Sequence, residues 1–258
     1  MRAEPEIRVD YRFSRAARPL VRVSEVDPDL TAGLDAEADA FARRHLLARL
    51  ELTDSGPIGM SGHGDSFGIV VDGVFCRRVQ VGSRTCLQLL GRGDVIVGDD
   101  FDDPLASIRT DSVTSALVAG AVAVLDDDAV AACARLPVVM RRLAFRLARQ
   151  SHDLAARLAI AQIPQLELRL LMVLWTLADR WGTAGPDGVT IPLRLPHEVL
   201  AGLVVAQRSS VCRAMKHLRA NGHLDMRADR RIRLKRQSIS VLPSELVVEP
   251  MVAPLLTV

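Results

Sequence analysis

Residues 195–224 of the chain, LPHEVLAGLVVAQRSSVCRAMKHLRANGHL, carry the pattern that decides its fold. Apolar residues recur at helical spacing on both sides of a short break, which predicts two amphipathic helices separated by a tight turn. In the second helix, Val211, Met215 and Leu218 share the face that would be buried. The opposite face carries polar and basic side chains, namely Arg208, Ser209, Ser210, Arg213, Lys216 and His217.

The polar face of this helix carries groups that recognise DNA. The planar guanidinium of arginine donates two hydrogen bonds to the O6 and N7 atoms of guanine, whereas serine and lysine more often contact phosphate. A basic helix face can also be simply solvated. Residues 208–236, however, contain ten arginines or lysines and two acids, a net charge of +8 in a chain whose total is +2. This asymmetry predicts a polyanion, such as double-stranded DNA, as the partner.

The composition is that of an ordinary folded protein. At 258 residues, with 49% hydrophobic and 25% charged residues, the chain has enough core material for roughly two domains. No apolar run approaches the roughly 20 residues that cross a bilayer, and the charged start MRAEPEIRVDYRF does not resemble a signal peptide. We therefore expect a cytoplasmic protein without membrane association. The four cysteines have no Cys-x-x-Cys spacing, so we expect reduced thiols and predict no metal site.

The middle of the chain reads as a small all-β unit. Residues 35–50 form a helix candidate, and after Thr53 short β-branched runs alternate with glycines. Asp72-Gly73 and Gly82-Ser83 fall between such runs, and Asp-Gly in this position is a strong signal for a hairpin turn. A further β-rich run at 112–125 completes the pattern of a small antiparallel barrel or roll.

A long helix should follow the β unit. From Pro137 to Ile163 the chain has no further proline and no glycine, which predicts about seven turns. Its apolar residues recur near heptad spacing, as in helices that pair with another helix. A single helix packed on its own domain is the alternative, but we favour a homodimer. The predicted dimerisation residues are Met140, Leu143, Leu147, Leu154 and Leu158.

Two further segments flank the helix pair of residues 195–224. Residues 165–180 have the spacing of another helix, after which GTAGPDG is predicted as loop. Beyond Leu224, two short alternating runs around the polar turn 227–230 predict a β-hairpin, or wing. Its arginines, Arg231 and Arg233, would lie along the DNA phosphates.

Taken in order, the β-roll, the long helix and the helix pair with its wing resemble the Crp/Fnr superfamily of bacterial transcription regulators over about residues 60–240. The most specific part is 208–222, which matches the family's recognition-helix pattern R-x-[ST]-V-x-R. The resemblance implies an α+β fold with an antiparallel, cyclic-nucleotide-binding-like β-roll, a dimerisation helix and a winged helix-turn-helix. The predicted domains are an extension (1–30), the roll (31–135), the dimerisation helix (136–163), the winged helix-turn-helix (164–242) and a tail (243–258).

The resemblance also implies a homodimer that binds a pseudo-palindromic operator and has RNA polymerase as a partner. Arg208 and Arg213 would read guanines, and Ser210 would hold a phosphate. Three positions depart from the family pattern. Ser209 stands where well-known members carry glutamate, which predicts altered readout at one base pair. Val205 stands where glycine is usual, so the turn either differs or is strained, and Gln207 replaces a serine that often caps the helix.

The β-roll, which would be the sensor domain, departs further from the family pattern. The stretch 97–112, VGDDFDDPLASIRTDS, places carboxylates where members that bind cyclic AMP hold its phosphate, and Arg109 falls about one residue from the family's arginine. Leu154 and Ala155 align with the polar residues that contact adenine, but offer no hydrogen bond. These features argue against cyclic AMP. No cofactor is predicted, since no cysteine cluster precedes Cys76 for an iron-sulfur centre. The sequence does not identify an effector.

Two other functions compete with a DNA-binding regulator. One is a divergent dimeric interaction or ligand-sensing module, in which the changes at Val205 and Gln207 mark the loss of specific DNA reading. The other is an enzyme, which we do not expect because the sequence has no His-Glu-x-x-His, no Gly-x-Ser-x-Gly and no phosphate loop.

Overall fold

The chain divides into two units, and each draws on several segments. The structure, a computed structural model, describes residues 19–58, 67–97 and 107–243. The first unit takes its residues from Met1–Phe75, Leu90–Phe101 and Thr114–Leu147. The second takes its residues from Cys76–Leu89, Asp102–Val113 and Ala148–Val258.

The first sheet confirms the predicted antiparallel roll. Its seven described strands follow the order β1-β2-β7-β4-β5, with β3 paired to β7 and β6 paired to β4. The pairs β1–β2, β2–β7, β3–β7 and β4–β6 are antiparallel. The elements up to the end of this sheet are β1 (Leu20–Arg22), α1 (Val23–Val26), α2 (Pro28–Thr31), α3 (Ala36–His45), β2 (Leu47–Thr53), β3 (Gly56–Pro57), β4 (Phe67–Val81), β5 (Arg84–Leu90), β6 (Val95–Val97) and β7 (Asp111–Leu125).

Strand β7 shows how the sheet divides the core of the first unit. Its alternate residues point to opposite faces. Ala121, Ala123 and Leu125 belong to a buried cluster that includes side chains of α1 to α3 and of the helices that follow, α4 (Asp127–Ala134) and α5 (Pro137–Ala161). Val122 and Val124 belong to a second cluster inside the roll. The β-rich run at 112–125 is thus buried on both faces over its second half.

The amino-terminal part of the first unit differs from the prediction. Asp35 caps α3 by accepting a hydrogen bond from the backbone N of Ala38 at 2.8 Å. The helix ends at His45, however, and the prediction of helix to residue 50 is wrong. Leu46, Ala48 and Leu50 are buried in alternation, because β2 pairs with β1 on one side and β7 on the other. Of the extension predicted for 1–30, the described part adds β1 to the sheet and α1 and α2 to the core.

The prediction of a hairpin turn at Asp72-Gly73 is also wrong. Strand β4 runs through both residues, and Gly73 has a φ of 83° inside it. A Cβ at Gly73 would lie 2.6 Å from the Cα of Gly120 on β7, so the two strands cross at a point where only glycines fit. A turn at Gly82-Ser83 joins β4 to β5 instead, and Gly82 has a φ of 58°.

The second unit contains the predicted helix pair. Its elements are α6 (Leu166–Trp181), β8 (Thr183–Gly185), β9 (Gly188–Ile191), α7 (His197–Val204), α8 (Arg208–Ala220), β10 (Leu224–Met226), β11 (Ile232–Leu234) and a 3₁₀ helix (Arg236–Val241). The four strands form a sheet of order β10-β11-β9-β8. The loop predicted for GTAGPDG is wrong, because β8 and β9 form a hairpin and β9 pairs with β11.

Helix α5 confirms the predicted long helix. Its burial pattern shows which of the predicted dimerisation residues are exposed and which are buried. Leu136, just before the helix, and Leu143 pack into the core of the first unit, where Leu143 is only 5% exposed, so neither belongs to an open stripe. Several exposed apolar side chains alternate with small residues at spacings of three and four, in the series Met140, Ala144, Leu147, Ser151, Leu154 and Leu158, whereas the exposed Phe145 lies outside this series. This is a heptad stripe along one face of the helix. Among the described helices, none is both long and apolar enough to cross a bilayer.

Candidate nucleic-acid interface

Helix α8 has the two faces that its sequence predicts. Val211, Ala214, Met215 and Leu218 are buried. The side chains of Arg208, Ser209, Arg213, Lys216 and His217 are exposed, and that of Ser210 is half-buried. At about 100° per residue, Ser209, Arg213 and Lys216 point directly away from the buried side. A hydroxyl, a guanidinium and an ammonium group therefore project from the middle of one helix face, which is a set of hydrogen-bond donors suited to base edges and phosphates.

The turn before α8 is strained, which is one of the two outcomes that the sequence left open. Val205 has a φ of 51° and a ψ of 56°, which is the left-handed conformation. The backbone N–H groups of Val205 and Ala206 both donate to the carbonyl of Ala201, so the chain reverses tightly after α7. Val205 is 47% exposed, so little apolar burial offsets the strain of a β-branched residue at positive φ.

The first turn of α8 begins without a side-chain cap. Gln207 occupies the N-cap position with an extended backbone, and its side chain makes no capping hydrogen bond. The first backbone N–H groups of a helix have no partner within the helix. At this end they are oriented to bind an anion, and a DNA phosphate would be such an anion.

His217 lies at the margin of the exposed face of α8. Its Nδ1 is 3.3 Å from Oε1 of Glu167 on α6, and both side chains are largely exposed. The predicted contact of His217 with DNA would therefore compete with a contact inside the protein.

The wing is present, and its turn contains a second residue at positive φ. Strands β10 and β11 pair over three residues, and the turn 227–230 joins them through hydrogen bonds between Arg227 and the backbone of Arg230 and Arg231. Arg230 has a φ of 64°. The Arg231 side chain is 46% exposed, with its nearest carboxylate, that of Asp229, 3.7 Å away. Arg231 is thus placed to extend towards a phosphate.

Arg233, the other predicted wing contact, is held more firmly by the protein. Its side chain is 23% exposed, and its guanidinium donates to Asp187 at 2.6 Å and to Asp225 at 3.0 Å. Lys235 also pairs with Asp225, at 2.8 Å. Hydrogen bonds from Lys235 and Arg233 lower the pKa of Asp225 below its ordinary value. The positive charge of Arg233 is therefore largely compensated inside the wing, and its DNA contact stays a prediction.

Two arginines that the sequence did not single out lie behind the turn. Arg157 on α5 donates to the carbonyls of Leu87 and Leu203, and Arg169 on α6 donates to the carbonyl of Val204 at 3.1 Å. In the sequence they are two arginines among many, and nothing in the local pattern distinguishes them. Only the packed structure separates them from the others.

The predicted sensor features lie partly outside the described residues. His63 and residues 98–106, with the carboxylates Asp99–Asp103, fall in that undescribed part of the chain. Arg109 is exposed, and Leu154 and Ala155 lie on the exposed side of α5. All four cysteines are free thiols. Burial raises the pKa of Cys133 to about 11, which makes that thiol poorly reactive at neutral pH.

Known proteins share both the domain and the fold. Residues 168–238 match the Crp-like helix-turn-helix domain, while a search of curated protein sequences finds no match for the chain. Among solved structures, the c-di-GMP-responsive regulator CLP of Xanthomonas campestris is similar with a TM-score of 0.61 at 16% identity, covering 78% of this chain and 99% of its own. A mutant of CooA from Carboxydothermus hydrogenoformans is similar with a TM-score of 0.62 at 14% identity, covering 83% of this chain and 94% of its own.

These likenesses define a class of protein, a β-roll joined through a long helix to a winged helix-turn-helix. Within that class, the chain has a Crp-like helix-turn-helix domain and the fold of the Crp/Fnr regulators, which confirms the resemblance seen in its sequence. The domain and the fold together support a DNA-binding transcription regulator.

Proposed function

We propose that the protein is a sequence-specific DNA-binding transcription regulator that acts as a homodimer on a pseudo-palindromic operator. The observation that carries the proposal is the exposed face of α8. It presents Ser209, Arg213 and Lys216 away from the buried side, within a segment of net charge +8. A basic or neutral ligand surface would not need this combination of a narrow helix face and a local excess of positive charge.

Each group on this face has a role that its chemistry suits. Arg213 and Arg208 would donate to guanine O6 and N7 in the major groove. Ser210 and Lys216 would contact phosphate and fix the register of the helix on the duplex. Ser209 has a hydroxyl where a glutamate would accept from cytosine N4, so the operator would differ from that of the well-known family members at one base pair of each half-site.

The stripe on α5 would supply the second copy of the chain. Met140, Leu147, Leu154 and Leu158 are exposed apolar side chains on one helix face, and pairing with the same stripe of another protomer would bury them. A two-fold protein places two recognition helices about one helical turn of DNA apart, which accounts for a pseudo-palindromic site.

Regulation by cyclic AMP is not part of the proposal. Leu154, on the stripe, and its neighbour Ala155 offer no hydrogen bond to adenine. The effector is left unassigned, and no cofactor is proposed. The expected partners are double-stranded DNA, a second copy of the chain and RNA polymerase. With these partners we expect the protein in the cytoplasm, without membrane association.

Selection from a pool of random DNA duplexes tests the proposal. We expect enrichment of one sequence with two related half-sites, and protection of both half-sites when the bound duplex is cleaved chemically. A pool that stays random after repeated selection, with the protein folded and dimeric, would favour the interaction module that has lost DNA reading.

Two variants separate base reading from phosphate binding. Arg213→Ala should reduce the preference for the selected site, whereas Arg231→Ala should weaken binding to all duplexes and lower the slope of log affinity against log salt by about 0.9. Arg43→Ala removes an exposed arginine of α3 that pairs with Asp39, and it should change neither quantity.

A further inference from the structure

The outer part of the β4–β5 hairpin contacts the first helix of the helix-turn-helix. Residues Cys76–Leu89 belong to the second unit together with α6, α7 and α8. Leu87 on β5 is buried. A Cβ at Gly202 on α7 would lie 2.3 Å from Cγ and 2.5 Å from Cδ1 of Leu87. Glycine is disfavoured inside a helix, so its presence in α7 is explained by this close approach of Leu87.

Arg157 joins the same two elements through their backbones. Its Nη2 donates to the carbonyl of Leu87 and, at 3.3 Å, to that of Leu203 near the end of α7. The last carbonyls of a helix have no partner in their own helix, so the guanidinium satisfies a group that the fold would otherwise leave unbonded. Burial lowers the pKa of Arg157, but an arginine remains charged at neutral pH.

Arg169 holds the neighbouring carbonyl. Its Nη1 donates to the carbonyl of Val204 at 3.1 Å and to that of Ala161, at the end of α5, at 3.3 Å. The two carbonyls before Val205 therefore each accept a hydrogen bond from an arginine on another helix. A strained residue such as Val205 keeps its conformation only where the surrounding structure determines it, and these two guanidiniums supply that constraint.

We propose that the contact of Leu87 with Gly202 and Arg157 couples the β4–β5 hairpin to the turn that orients the recognition helix α8. The position of the hairpin then sets the DNA affinity of the protein. Arg157 is a positioning residue in this coupling, since it acts on α8 through Leu203 and the turn. The consequence for DNA affinity rests on the proposed function, whereas the coupling between hairpin and turn does not.

Gly202→Ala tests the side-chain contact. The new methyl group would overlap Leu87 although alanine favours helix, so any loss comes from the overlap. We expect DNA affinity for the selected duplex to fall by at least about tenfold. In the protein without DNA, we expect faster hydrogen exchange at the amides of Val205 and Ala206.

A second substitution distinguishes the overlap with Leu87 from a general loss of stability. Only an effect of the overlap should be reversed when the overlapping side chain is shortened. Leu87→Ala removes the overlapping atoms, so Leu87→Ala combined with Gly202→Ala should bring both affinity and exchange back towards wild type. Leu89→Ala is the matched control, since it truncates another buried leucine of β5, and it should not rescue Gly202→Ala. Arg157→Lys keeps the charge but loses the planar fork, and it should also raise exchange at Val205 and Ala206.

The two readouts separate the two proposals. If wild type binds no duplex selectively, the proposed function fails, while hydrogen exchange still measures the coupling. If Gly202→Ala and Arg157→Lys leave exchange at the turn unchanged, or if Leu89→Ala rescues as well as Leu87→Ala, the coupling is overturned. Should Gly202→Ala fail to fold, recovery of the fold by Leu87→Ala but not by Leu89→Ala supports the contact, and the absence of that difference contradicts it.

Discussion

Val205 is the residue whose conformation most affects the candidate site. The sequence predicted either a different turn or a strained one, because a β-branched residue stands where the family usually has glycine. The structure shows the strained turn, with a φ of 51°. Sequence alone could not decide this, since the two carbonyls before Val205 accept hydrogen bonds from Arg157 and Arg169, which lie on other helices and are distant in sequence.

Replacing Val205 by glycine should stabilise the protein. Glycine has no Cβ to clash at positive φ, and removing the strain should raise the free energy of unfolding by about 1 kcal/mol, after allowing for the greater freedom of glycine in the unfolded chain. Urea denaturation measures the change. Ala206→Gly is the control, because Ala206 is not among the described residues at positive φ, and it should give no gain. Equal effects of the two substitutions would contradict the strain at Val205.

The N-cap of α8 gives a second prediction. Gln207 makes no capping hydrogen bond, whereas a serine hydroxyl at this position can accept from a backbone N–H of the first turn. Gln207→Ser should therefore stabilise the protein by about 1 kcal/mol. Thermal denaturation compares it with Gln207→Ala, which offers no acceptor and should stay near wild type. A gain of the same size for alanine would show that the cap is not the cause.

At the scale of elements, periodicity predicted the helices well and the strands less well. The stretch 47–53 followed a helix and contains leucines at spacings that also fit a helix, so the local pattern favoured helix over strand. Pairing with two neighbouring strands decided otherwise. Asp72-Gly73 has the local chemistry of a hairpin turn, but its glycine serves the close crossing of β4 over β7. Both errors arose because contacts distant in sequence override local preference.

Helix α5 shows a similar limit. Heptad spacing predicted a seam, but spacing does not tell which apolar residues the chain covers itself. Leu143 is buried in the first unit, and the stripe that remains exposed runs through Met140, Leu147, Leu154 and Leu158. The proposed dimer would bury this stripe.

A charge placed on the stripe should separate the protomers. Leu154→Glu puts a carboxylate where two helices would pack, so we expect a monomer at concentrations at which wild type is dimeric, as measured by analytical ultracentrifugation. His152→Glu is the matched control, because His152 is exposed on nearly the opposite side of the same helix. The proposed dimer contact along the stripe is wrong if Leu154→Glu remains dimeric, or if both variants dissociate to the same extent.

At the scale of the whole molecule, the distribution of charge supports the proposed binding of DNA. A segment of net charge +8 in a chain of net charge +2 includes the recognition helix and the wing. The sequence predicted both elements and the charge. It did not predict that Arg233 is held by Asp187 and Asp225, because Asp187 comes from the β8–β9 hairpin, which pairs with the wing only in the folded sheet.

If α8 reads DNA sequence, the protein must discriminate between duplexes, and the specificity ratio measures that discrimination. The ratio compares affinity for the selected duplex with affinity for a scrambled duplex of the same composition, at one salt concentration. For wild type we predict at least about a thousandfold preference. Arg213→Ala should reduce that preference by about tenfold to a hundredfold while changing affinity for the scrambled duplex much less. Equal affinity of wild type for the two duplexes, or an unchanged ratio in Arg213→Ala, would contradict the reading of DNA sequence by α8.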